Sequence, residues 1–181
     1  MVFNELPLKG AYLIELQEHQ DQRGFFGRTF CKKEFAENGI DFDIVQTNLS
    51  FSKYTNTLRG MHYQVNGSEE KKLVKCMQGR ILDVILDIRK DSPTFGQNYK
   101  VELSQENHLM LLVPEGFAHG FITLEPNCYL FYQVSNFYDK EKERAIRWND
   151  PFYNIDWPTD NPILSERDAS HPDFNIEQSD F

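Results

Sequence analysis

Basic residues are in short supply. Among 181 residues, 19 Lys and Arg stand against 28 Asp and Glu, for a formal net charge of -9 and a pI near 5.0. That deficit argues against nonspecific nucleic-acid binding and against docking on an anionic membrane, both of which draw on basic surface. It leaves small anionic ligands open, because a local arginine cluster dominates once salt screens the remote charge. Cysteine is scarce as well. Cys31, Cys76 and Cys128 are odd in number and lack CxxC or CxxH spacing, so they read as buried, reduced thiols. No apolar run approaches a membrane span, and residues 1–15 lack the basic start and apolar stretch of a secretory leader. A cytoplasmic protein is expected. Nor do any two histidines stand one residue apart, the spacing that projects both from one face of a strand toward a metal. Two residues after His62 comes Gln64, and a carboxamide is a poor ligand for zinc or iron(II). Neither a metal nor another cofactor is expected.

Helical periodicity is the remaining scarcity. Helix signals are confined to residues 32–38, closed by Gly39, and to a charged stretch at 140–144. What fills the chain instead is short apolar runs broken by turn residues, the pattern of an all-β protein. Strands are predicted at 11–16, 24–30, 43–50, 72–77, 81–88, 99–103, 109–113, 120–124 and 128–134. The clearest alternation puts Leu82, Val84, Leu86 and Ile88 on one face, with Asp83 and Asp87 contributing to the other. Gln78-Gly79 and Pro126-Asn127 supply hairpin turns. A composition 40% hydrophobic and 14% aromatic suffices for one packed domain over residues 1–181. So many strands bury their edges by closing on themselves, as a jelly-roll barrel does, or by pairing with a second chain. Strands 11–16 and 43–50 are candidates for continuing a sheet across a symmetric dimer. Residues 148–168, rich in Asp, Asn and Pro, suggest an irregular segment draped over the barrel, and the acidic residues 175–181 suggest a loose end.

Taken singly, the polar candidates are ambiguous. Strand alternation sends His62 and Gln64 to one face and Met61 and Tyr63 to the other, which suits either a buried structural histidine or an acid–base group. Lys72 beside Lys71 reads equally as a solvated pair. His119 could be a turn histidine, and Tyr132, among Tyr129, Phe131 and Tyr138, a core aromatic. As a pair, Gly60-Met61-His62-Tyr63 and Pro114-Glu115-Gly116-Phe117-Ala118-His119 resemble the two histidine motifs of a cupin barrel without its metal geometry.

The order of motifs narrows this further. Asp21-Gln22-Arg23-Gly24-Phe25-Phe26, Leu58 to Gln64, Lys72-Leu73-Val74, Asp87 to Gly96, Pro114 to Phe121, Ile146 to Pro151 and Pro162 to Asp168 follow one another. From about Leu6 to Asp168 the chain resembles the dTDP-4-dehydrorhamnose 3,5-epimerase family. The resemblance implies a cupin jelly roll (double-stranded β-helix), a homodimer, no cofactor, and a nucleotide-diphospho-4-keto-6-deoxy sugar as substrate, in deoxysugar and surface-polysaccharide biosynthesis. It implies His62 as general base with Asp168 as its partner, Tyr132 as acid on the opposite ring face, and Lys72 at the keto oxygen. Arg59 and His119 would hold the diphosphate. Arg23, Phe26, Arg28, Gln46, Asn48, Tyr138 and Arg167 are further candidates for substrate contact.

The chemistry is coherent. A ketone at C4 acidifies the C3 and C5 hydrogens because the carbanion delocalises onto oxygen, so no redox carrier is needed. Histidine suits the base near neutral pH, and a carboxylate on its other ring nitrogen fixes the tautomer. Two departures concern the nucleotide base. Arg28 stands where many relatives carry glutamate, and Thr47-Asn48-Leu49 where they often read Asp-Asn-His, so a CDP- or GDP-linked sugar is an alternative to dTDP, with Arg28 able to pair with a base edge. Inversion at a single centre is also compatible. A metal-dependent cupin oxygenase and a noncatalytic sugar-nucleotide binding module are the competing classes. The intact acid and base residues count against the second.

Overall fold

A computed structural model describes residues 1–178. In chain order the elements are β1 (Val2–Glu5), β2 (Tyr12–Glu15), β3 (Glu18–Asp21), β4 (Gly24–Gly27), α1 (Lys32–Glu37), β5 (Gln46–Ser52), β6 (Leu58–Gln64), β7 (Lys72–Gln78), β8 (Arg80–Asp87), β9 (Asn98–Ser104), β10 (Met110–Val113), β11 (Phe117–Thr123), β12 (Cys128–Val134), β13 (Glu143–Ala145), α2 (Glu166–Ala169) and a 3-10 turn at Ile176–Gln178. One sheet runs β1-β2-β10-β7-β12-β5, a second runs β13-β6-β11-β8-β9, and β3 and β4 form a separate hairpin. Neighbouring strands are antiparallel throughout. The result is an antiparallel jelly roll, as the strand pattern suggests, of the cupin type that the resemblance implies. Among the described residues no helix is long and apolar enough to cross a membrane.

Three apolar clusters explain the layering. Between the sheets, Val74, Cys76, Leu111, Val113 and Leu130 pack against Ile81, Ile85, Leu103, Phe117 and Phe121. Outside the six-stranded sheet, Phe35, Ile40 and Phe42 from α1 and its trailing loop cover Ile14, Leu73, Met110 and Leu112. Outside the five-stranded sheet, the irregular 146–174 segment brings Ile146, Tyr153, Ile155 and Trp157 onto Leu58, Met61, Tyr63, Val84, Leu86, Ala118 and Ile122. Each large apolar side chain so buried contributes about 1.5–3 kcal/mol relative to exposure. Strand β8 shows the division of labour: Val84 and Leu86 serve the outer cluster, while Ile81 and Ile85 serve the inner one beside buried Asp83 and Asp87. The Asp87 motif is structural. Its carboxylate accepts from Arg89, from Ser92 Oγ at 2.6 Å and from Thr94 Oγ1 at 2.6 Å, fixing the loop that leads to β9.

Several boundaries differ from the sequence expectation. The 140–144 stretch is a turn in which the Lys142 and Glu143 amides donate to Asp139 O, and Glu143 then enters β13 on the edge of β6. The strand expected from 43 begins at Gln46 and runs to Ser52, and the one from 24 stops at Gly27. Strand β2 is no free edge, because β1 pairs with it (Phe3 opposite Ile14). β5 is an edge, with Leu49 and Phe51 exposed. Cys76 and Cys128 are buried free thiols and Cys31 is half-buried; burial, with Cys128 nearby, pushes the Cys76 thiol up to about 12.

β6 carries the irregularity that matters for function. His119 of β11 faces His62 and Phe121 faces Arg59, so two residues of β6, Gly60 and Met61, stand opposite one of β11, Gly120. This bulge lets Arg59 and His62, three apart, share the inner face while Leu58, Met61 and Tyr63 stay in the outer core. It is possible because two glycines meet. Gly60 has φ of +131°, and a Cβ on it would lie 2.4 Å from Gly120 Cα. We expect Gly60→Ala to cost about 1–3 kcal/mol in denaturant unfolding and to cut activity further than that loss explains. Wild-type stability and turnover in that variant would contradict the packing argument.

Candidate active site

Between the sheets lie two adjoining chambers of about 350 and 220 Å³. Both are lined by His62, Lys72 and Tyr132. His62 comes from β6 of the five-stranded sheet, whereas Tyr132 on β12 and Lys72 on β7 come from the facing six-stranded sheet. An imidazole and a phenol thus project from opposite walls.

His62 Nε2 meets Asp168 Oδ1 at 2.7 Å, across 106 residues of sequence. Asp168 reaches it from α2, which Ser165 starts by accepting from the Asp168 amide at 3.1 Å, the usual N-cap geometry. The segment ahead of it is pinned to β6 where Leu58 N donates to Ile163 O at 2.9 Å. Burial pushes the Asp168 carboxyl up, but the hydrogen bond and charge of His62, with Ser165, outweigh it and hold the group below the usual aspartate range. His171, three residues on, has a buried Nε2 without a hydrogen-bond partner, and burial lowers its pKa.

Lys72 pairs with Glu70 at 3.2 Å, both nearly buried, while Lys71 turns away to Glu115 at 3.4 Å. The two lysines are not a solvated pair. Tyr132 is pushed above its ordinary value chiefly by burial and then by Glu70, with Arg59 working the other way. His119 is buried and gives Nε2 to both oxygens of Asp83, at 2.9 and 3.0 Å. Arg59 lines the smaller chamber and donates to Ser52 Oγ at 3.2 Å and Phe51 O at 3.1 Å. At the far side, Tyr138 and Arg167 converge on Glu143 Oε2, each at 2.7 Å. Burial raises the Glu143 carboxyl, yet these partners hold it low.

The structure therefore gathers His62, Asp168, Lys72, Tyr132, Arg59, His119, Gln46, Asn48 and Tyr138 around one cavity, with Arg167 at its edge through Glu143. It does not bring Arg23, Phe26 or Arg28 there within one chain. Arg23 pairs with Asp21 on the β3–β4 hairpin, and Phe26 is 68% exposed. Arg28, expected to meet the nucleotide base, is held by Glu34 of α1 at 2.9 Å, outside both chambers. Asp83 enters the sequence reading only as a strand-face residue, and Glu70 and Glu143 have no site role there, since charged residues in a strand or loop ordinarily read as solvated. Gln64 lines the larger chamber, but its amide is engaged by backbone: it donates to Ser68 O at 3.2 Å and accepts from Asp139 N at 2.7 Å.

A barrel with a carboxylate-held histidine facing a tyrosine across a polar cavity has the parts of an isomerase that moves protons at carbon. The family model described as dTDP-4-dehydrorhamnose 3,5-epimerase matches residues 5–175, and the chain belongs to that family. It is 46% identical over 175 residues to the dTDP-4-dehydrorhamnose 3,5-epimerase of Shigella flexneri, covering 96% of this chain and 95% of that one. The crystal structure of the Bacillus anthracis dTDP-4-dehydrorhamnose 3,5-epimerase, with TDP and PPi bound, superposes with a TM-score of 0.92 at 42% identity, covering 96% and 99% of the two chains. A 3'-monoepimerase from Streptomyces bikiniensis in complex with dTDP-quinovose is similar at a TM-score of 0.87 and 32% identity, covering 94% and 86%.

The pH dependence of stability follows from the direction of the Asp168 shift. Because its folded-state pKa lies below the unfolded value, its contribution is fully present above the ordinary 3.8 and is lost as pH falls through the folded value. We expect Asp168→Asn to be less stable than the wild-type protein in urea at neutral pH, with the gap closing below pH 3.8. A gap unchanged across that range contradicts the coupling.

Proposed function

We propose that the protein inverts C3 and C5 of a dTDP-linked 4-keto-6-deoxy sugar without a cofactor. The observation that carries this reading is the placement of His62 and Tyr132 on facing sheets, with Lys72 lining the same two chambers from the strand next to that of Tyr132. His62 removes the proton from carbon; Asp168 occupies Nε2, which leaves Nδ1 for the transfer. The electron pair moves onto the keto oxygen as an enolate, and Lys72 stabilises charge that is absent from the ground state. Tyr132 then gives its hydroxyl proton to the same carbon from the other face, and solvent returns the proton from His62 to the phenolate. A phenol whose pKa is raised keeps its proton until the carbanion needs it.

Both centres are assigned because the relatives at 41% identity and above bear the name 3,5-epimerase, while the single-centre relative is more distant. Arg59 and His119 hold the diphosphate in the smaller chamber. Thymine is favoured over cytosine or guanine by the relatives' names and by the engagement of Arg28 with Glu34. The exposed edge of β5 and the exposed Phe25 and Phe26 support a homodimer, in which Arg23 and Phe26 reach a substrate only from a second chain. Buried free thiols support a cytoplasmic location.

Incubation with a dTDP-4-keto-6-deoxy sugar in deuterated water should place deuterium at C3 and C5, and label at one centre alone would reduce the assignment to a monoepimerase. His62→Asn should lower kcat by about 10²–10⁴-fold; unchanged exchange would remove His62 as base. Tyr132→Phe should retain proton exchange while inverted product falls. In a separate titration dTDP should bind more tightly than CDP or GDP, with Arg28→Ala leaving that order intact; a reversed order would restore Arg28 as a base-reading residue.

A further inference from the structure

Glu70 has no part in the reaction as written, yet it is a carboxylate with only 10% of its side chain exposed and lines the larger chamber. Its partner is Lys72, 3.2 Å away and 12% exposed. Lysine carries its charge on a flexible four-carbon stem, and its ammonium offers three N–H groups. A free lysine at this place would sample several rotamers, most of them aimed away from any one oxygen. We propose that Glu70 is the positioning residue of the site, taking one N–H of Lys72 so that the others point at the oxygen on which the enolate charge develops. This rests on the reading of Lys72 given above.

Two features favour the assignment over an incidental ion pair. The neighbouring lysine shows the alternative: Lys71 pairs with Glu115, whose side chain is 50% exposed, whereas Lys72 is held in the cavity by a carboxylate that is only 10% exposed. Glu70 also works against ionisation of Tyr132, second only to burial among the influences that raise its pKa. One carboxylate thus touches the cation that stabilises the developing negative charge and biases the group that delivers the proton. Orientation of this kind acts on the transition state more than on substrate binding, since a misplacement near 1 Å can cost about a hundredfold in rate.

The test is a kinetic cycle on the intact enzyme with the 4-keto sugar nucleotide. Glu70→Ala should lower kcat by about tenfold to a hundredfold with KM nearly unchanged. Glu70→Gln, isosteric and still an acceptor, should recover most of the loss. In a Lys72→Met background Glu70→Ala should add nothing. If Lys72→Met keeps wild-type turnover, the role of Lys72 itself fails. If Lys72→Met is impaired but Glu70→Ala still adds its full effect, or if Glu70→Gln is as poor as Glu70→Ala, or if the loss lies in KM, the positioning role of Glu70 is overturned while that of Lys72 stands.

Discussion

The close approach of Gly60 and Gly120 is the constraint on which the active cavity rests. β6 has two obligations. Its outer side chains Leu58, Met61 and Tyr63 are buried beneath the C-terminal layer, and its inner ones must present both Arg59 and His62. Strict alternation cannot satisfy both, because residues three apart point to opposite sides of a regular strand. The extra residue in β6 resolves the conflict, and only a backbone without Cβ atoms can come this near its neighbour: a Cβ on Gly120 would fall 2.7 Å from Met61 Sδ and 2.9 Å from Arg59 O. The site and the outer core are thus coupled through one bulge.

The C-terminal layer has a second duty besides covering that core. Trp157 Nε1 donates to Trp148 O at 2.8 Å and Phe174 N donates to Asp150 Oδ2 at 2.6 Å, so an irregular segment is closed on itself before it meets the barrel. Its apolar side chains hold it to β6, β8 and β11, and its end delivers Asp168 to His62. Packing free energy in the layer therefore sets the position of a hydrogen bond in the cavity. An ionised carboxylate that is 5% exposed is costly to bury alone; its bonds to His62 and Ser165 are what make the burial tolerable.

Period-two apolar runs made β7 to β12 visible in the sequence, because burial on a sheet face imposes that period directly. β13 was hidden by the opposite circumstance. Glu143, Arg144 and Ala145 carry no apolar alternation, and pairing with β6, together with the turn at Asp139, overrides the helix that the charged stretch suggests. The cavity was legible to a similar degree. His62, Lys72, Tyr132 and Asp168 stand in family motifs whose order is distinctive, whereas Glu70, Asp83 and Glu143 matter only through partners brought to them by the fold, 2 to 36 residues away. Arg28 shows the converse limit: a departure in a motif suggests a change of specificity, whereas the ion pair that its guanidinium makes with Glu34 within one chain is something no motif reveals.

Four carboxylates, of which only Asp168 has a site role in the sequence reading, set the charge balance of the cavity. His62 is paired with Asp168, His119 with Asp83, Lys72 with Glu70 and Arg167 with Glu143. Arg59 differs: among the described residues its hydrogen-bond partners are a hydroxyl and a carbonyl, neither of which cancels its charge. In a protein of net charge -9, attraction for an anion is then local to the smaller chamber, where the field of one uncompensated guanidinium acts over a distance shorter than the screening length. The larger chamber, with its cations matched by Glu70 and Glu143, gives an anion no comparable reward. On the function proposed above, a diphosphate is drawn to the Arg59 end and the uncharged ring is left at the junction where His62, Lys72 and Tyr132 meet. On that proposed reading, charge pairing inside the cavity orients the substrate before any base contact is made.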